Sequence, residues 1–80
     1  MTIAHKIVAY DRLTELVASE HDVPAQKFDI VRQVAGVAPS DPEAIGNYRL
    51  SPPAAEEIGR IIGAPADTKR FDFYLEPAAD

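Results

Sequence analysis

Eighty residues, 46% of them hydrophobic, with no cysteine and a net charge of −5, describe one small acidic domain that is too apolar to be disordered. Without cysteine there are no disulfides, no thiolate metal sites and no cysteine nucleophile, and a reducing compartment suits such a chain. Thirteen acids against eight scattered bases argue against nucleic-acid binding, which relies on clustered Lys and Arg to neutralise phosphates.

The opening MTIAHKIVAYDR lacks a basic segment followed by a long apolar run, so no secretory leader is expected there. No apolar stretch approaches the roughly 20 residues of a membrane span. A cytoplasmic protein with no membrane association is the expectation.

Ile3–Tyr10, rich in β-branched and aromatic residues, predicts a first strand. Asp11–Thr14 is a polar break. Glu15–Glu20 then alternates, with Leu16 and Ala18 on one side and Val17 and Ser19 on the other, and predicts the second arm of a hairpin. Pro24 opens the next element, since a proline in the first helical turn gives up no hydrogen bond. Phe28, Ile30, Val31, Val34 and Ala35 share one half of a helical wheel, and Gly36 supplies the stop.

Val37–Ala44, with Pro39 and Pro42 around Ser40-Asp41, reads as a loop, and Ile45–Leu50 as a short third strand. Ser51 is suited to cap a second helix that starts with Pro52 and Pro53 and ends at Gly63. Its apolar face holds Ala54, Ile58, Ile61 and Ile62. Gly59 in the middle costs this helix about 1 kcal/mol relative to Ala, unless a neighbour packs closely there. After a turn at Ala64–Thr68, Arg70–Glu76 alternates clearly, with Phe71, Phe73 and Leu75 on one face and Arg70, Asp72, Tyr74 and Glu76 on the other. Pro77 ends it, and residues 78–80 are expected to fray.

The predicted order is ββαβαβ in a single domain spanning residues 1–80. It is an α+β fold in which two helices cover one face of a four-stranded sheet and leave the other to water. The expected core is Phe28, Val31, Val34, Ile58, Ile61, Phe71 and Phe73.

Catalytic chemistry finds little support. If the hairpin loop centres near Arg12-Leu13, His5 and His21 stand nearly opposite each other, and with Glu20 or Asp22 they could hold a metal ion. No third ligand is fixed, so no metal site is assigned. Glu56 and Glu57 are adjacent on a helix and point about 100° apart, which does not converge two carboxylates on one atom. Ser51 is committed to capping, while Ser19 and Ser40 have no histidine in a triad-like arrangement. The four glycines form no phosphate-binding pattern. The expectation is a protein that is not an enzyme, with no catalytic residues and no cofactor.

Recognition by a surface is the better candidate. Asp72, Tyr74 and Glu76 place an aromatic between two acids on the outer face of the last strand, and Tyr10 joins them if the first and last strands are neighbours. Tyrosine is favoured at interfaces because it is large, rigid and amphipathic.

The segments IVAYDRLTELV, YRLSPPAAEEIG and FDFYLE resemble a group of small bacterial proteins classed as a domain of unknown function. The resemblance spans most of the chain and rests on a hairpin, a capped helix start and an aromatic last strand, none of which is a chemical motif. It carries over no active residues. In size and charge such proteins resemble immunity proteins encoded beside toxin genes. A non-catalytic protein-binding module is therefore expected, with an immunity-type inhibitor as its specific form and a basic toxin or neighbouring gene product as partner. The alternatives are a self-associating subunit, such as a homodimer, and a small-ligand or metal-binding regulatory domain.

Overall fold

The computed structural model describes residues 3–78. Strand β1 runs His5–Asp11, β2 Val17–Val23, β3 Tyr48–Arg49 and β4 Phe71–Pro77; helix α1 covers Phe28–Ala35 and α2 Pro52–Ile62. The four strands form one antiparallel sheet in the order β2-β1-β4-β3. The ββαβαβ order and the α+β class are as the alternation of patterns indicates. Ala79 and Asp80, part of the expected frayed tail, lie outside the described residues. Ala78 donates its N–H to the Ala4 carbonyl at 2.8 Å and so extends the sheet.

The hairpin differs from expectation in length and register. The chain turns through Arg12–Glu15, and β2 begins at Val17 and continues to Val23, not from Glu15 to Glu20. The Asp11 side chain shapes this turn by accepting from the Leu13 and Thr14 N–H groups, while the Asp11 carbonyl accepts from Glu15 at 2.7 Å. Glu15 takes a left-handed φ of 62° to close it. Ala18 has no partner in β1, because the pairing shifts between Ala9 and Tyr10. That single bulged residue, absent from simple alternation, resets which face every later β2 side chain occupies.

Pro24 does not start the α-helix. It precedes a single 3₁₀ turn at Ala25–Lys27, and α1 begins at Phe28. Lys27 at this junction donates to the Ile61 carbonyl at 2.6 Å, tying the start of α1 to the end of α2. Gly36 closes α1 at φ 72°. Ser51 caps α2 by accepting from Ala54 N–H at 3.3 Å, with prolines at the first two helical positions as expected.

The third strand is shorter than Ile45–Leu50. Asp41 bends Ile45 and Gly46 into a turn by accepting both of their N–H groups at 3.0 Å, so only Tyr48 and Arg49 pair fully with β4. Leu50 adds one bond to the Phe73 carbonyl at 2.8 Å.

The core joins Ile7 and Ala9 of β1, Val31 of α1, Ala55 and Ile58 of α2, and Phe73 and Leu75 of β4, which places both helices over the same sheet face. Val31, Ile58 and Phe73 are buried as expected. Phe28, Val34, Ile61 and Phe71 pack around them only partly buried, because a domain this small has little interior. Ile30, expected on the apolar face, is 49% exposed, so the stripe α1 buries is narrower than half a wheel.

Candidate functional site

In an antiparallel pair, residues in direct register share a face. The pairs Lys6–Glu76, Val8–Tyr74 and Tyr10–Asp72 therefore line the face opposite the helices, together with Glu20 and Asp22 of β2 and Arg49 of β3. Because β1 and β4 are neighbours, Tyr10, Asp72, Tyr74 and Glu76 come together, as the reading conditional on that adjacency requires. All four border one shallow hollow of about 280 Å³, alongside Asp11, Glu15 and Asn47.

Two aromatic rings organise this face. Tyr10 and Tyr74 meet edge-on, with centroids 5.3 Å apart and planes at 87°, a favoured geometry for aromatic pairs. Val8 sits in register between Glu20 and Tyr74 and is only 2% exposed, although no helix covers it. Its outer-face neighbours therefore close over it, and the tyrosines form a small apolar island within a polar surface.

The charges on this face are matched more fully than strand alternation suggests. Asp72 Oδ1 lies 3.0 Å from Arg12 Nε and 3.3 Å from an Arg49 guanidinium nitrogen. Arg12 also donates to the Thr68 carbonyl at 2.6 Å, which anchors the hairpin turn beside β4. Tyr10 donates to Glu76 Oε2 at 2.7 Å, and this bond holds the phenol above its ordinary pKa. Lys6 donates to Glu20 at 2.5 Å, which likewise raises the ammonium. Asp72 and Glu76 are thus oriented acids with partners, not free charges.

The histidines do not face each other. The longer turn and the Ala18 bulge set His5 opposite Val23 and His21 opposite Ile7. Both lie on the helix side, offset diagonally. His5 is buried, stacked on Phe28 with centroids 4.4 Å apart. Its Nε2 reaches the Glu43 carbonyl at 2.8 Å and the Ala44 carbonyl at 3.1 Å. Carbonyls only accept, so Nε2 carries the hydrogen and cannot ligate a metal there. Among the described residues no three His, Asp or Glu side chains cluster as a metal site would require.

Sequence reasoning missed Asp41. Besides the two N–H groups, it accepts from the Tyr48 hydroxyl at 2.7 Å. The Gly46 and Ile45 N–H groups, then that hydroxyl, lower its pKa below the ordinary 3.8. The residues 36–47 loop is thus pinned at Asp41 and again where His5 holds Glu43 and Ala44. The available signal was an aspartate ahead of Ile45-Gly46, a spacing that favours side-chain-to-backbone bonds. Glu56 and Glu57 diverge as expected, with Glu56 accepting from Thr68 and Glu57 from Arg60.

Among the described residues, no helix is long and apolar enough to cross a membrane. Searches of curated proteins and of solved structures each found no match. A family model described as Domain of unknown function (DUF7683) matches residues 4–76, and it takes in both arms of the hairpin, both helices and nearly all of β4. The chain belongs to the DUF7683 family.

Proposed function

We propose that this chain is a non-catalytic protein-binding module that engages its partner through the outer face of the sheet. The observation that carries this reading is the Tyr10–Tyr74 pair, a preformed aromatic anchor on the sheet face the helices leave open, flanked by the oriented acids Asp72 and Glu76. Such a pair adds contact area at little entropic cost, because its rings are already held. The net charge of −5 favours a basic partner, and an immunity-type inhibitor of a toxin encoded beside it is the specific form we infer.

Affinity for the purified neighbouring gene product tests the reading. Tyr74→Ala should weaken binding by at least about 30-fold, the equivalent of a 2 kcal/mol anchor, and the wild-type affinity should fall as salt rises. Unchanged affinity in Tyr74→Ala and in Tyr10→Ala, with folding intact, refutes it.

Self-association is a second reading. Among the described residues β2 has one edge with no partner strand, and its first residue Val17 is exposed along with Leu13 and Leu16 of the preceding turn, Leu13 to 95%. A mass that rises with concentration, and falls back when β2 is given an edge proline, would favour it.

A further inference from the structure

A second concavity lies on the helix side, at the end of the sheet where His5 pairs with Val23. It is about 480 Å³ in volume, and Ile3, Val23, Ala25 and Phe28 supply apolar walls, with Glu43 at its border and His5 lining it. That volume suits a small organic molecule.

His5 gives the pocket its chemistry. Its Nε2 is spent as a donor on two backbone carbonyls. In the neutral imidazole, Nδ1 is then an acceptor. No described residue bonds Nδ1, yet no buried side-chain nitrogen or oxygen in the described chain lacks a partner. Nδ1 is therefore not sealed off within the described residues, and the concavity that His5 lines is this pocket. The ring cannot swing away, because Phe28 stacks on one face and the loop carbonyls hold its far nitrogen. A lone, fixed acceptor in an apolar wall rewards a ligand that brings one donor and leaves it unpaired against one that brings none.

We propose that this pocket binds a small apolar molecule carrying a single hydrogen-bond donor, an alcohol or an amine, with that donor on His5 Nδ1. The site shares no residue with the outer sheet face, so either reading can fail without the other.

Titrating the full chain with benzyl alcohol, benzylamine and toluene, followed by heteronuclear NMR, tests the proposal. The alcohol or the amine should give saturable shifts at Val23, Ala25 and Phe28 and at the His5 ring nitrogen. Toluene, equal in body but without a donor, should bind about fivefold more weakly. The tighter of the two donors shows whether the natural ligand is neutral or is a cation drawn by Glu43, and either result supports the site. His5→Phe keeps a ring against Phe28 but removes both ring nitrogens and brings no other acceptor, and it should erase the preference over toluene. Should His5→Phe fail to fold, Ala25→Leu carries the test. Ala25 is exposed on the 3₁₀ turn, so this change fills the pocket while His5 stays in place, and it should weaken binding about tenfold or more. No saturable shift with any probe, toluene binding as tightly as the alcohol and the amine, or Ala25→Leu binding like the wild type would each overturn the proposal.

Discussion

Gly59→Ala should destabilise this protein, although helix propensity alone predicts the reverse. An alanine within a helix is favoured over glycine by up to about 1 kcal/mol. At this position a Cβ would stand 2.5 Å from the Ala64 carbonyl oxygen and 3.4 Å from the Ala66 nitrogen. An unstrained contact is about 3.5 Å, so the backbone after the helix must retreat by roughly 1 Å. That same segment donates Ala64 N–H to the Gly59 carbonyl at 2.8 Å, and Gly63 N–H caps the same oxygen. Overpacking of this kind costs about 1–3 kcal/mol, and a lost hydrogen bond about 1 kcal/mol more. After the propensity gain, a net loss of about 1–3 kcal/mol remains. For a domain of this size, each kcal/mol moves Tm by about 4–8 °C, so thermal unfolding followed by circular dichroism resolves the effect easily. Gly63→Ala is the comparison, because nothing lies within 4 Å of its Cβ and only its left-handed φ of 74° is at stake, worth about 1 kcal/mol. A Gly59→Ala protein that melts at or above the wild-type temperature would refute the close approach.

Asp41→Asn should lower Tm at neutral pH by disrupting the loop that leads into β3. The folded-state pKa of Asp41 is depressed, so its contribution is complete above the ordinary value of 3.8 and fades as pH falls below it; the gap between wild type and variant should therefore narrow in acid, and a gap constant with pH counts against this role. Glu15→Gly should stabilise the hairpin by up to about 1 kcal/mol, since Glu15 holds φ 62° in the turn, and an unchanged Tm would show that the turn carries no strain.

What could be read from the residues alone depended on whether a single element determined it. The faces of β4 were legible because one side packs on helices and the other does not, so Phe71, Phe73 and Leu75 separate from Asp72, Tyr74 and Glu76 without reference to any neighbour. Ser51 and the following prolines marked the start of α2 for the same local reason. The Tyr10–Tyr74 pair required knowing that β1 and β4 are adjacent, a tertiary fact that alternation does not encode. The extra residue at Ala18 has no compositional mark, so the register of β2 and the placement of His21 were out of reach. His5 alternates with Ile7 and Ala9 along an apolar row, and only the carbonyls of a loop nearly forty positions away explain a histidine there.

The sheet order also dictates when this protein can fold. β4 lies between β1 and β3, although it is the last of these four strands to be synthesised. Until residues 71–77 leave the ribosome, only the β1–β2 hairpin can pair, β3 has no strand to join, and the two helices face half a sheet. The closing step brings β4 against β1, across about 60 residues of chain, and such distant pairing slows folding relative to a helical protein of equal length. A nascent chain stopped just before Phe71 should expose the inner side of β1 to chaperones and to other β edges, and its release should be the event that commits the molecule to its native state.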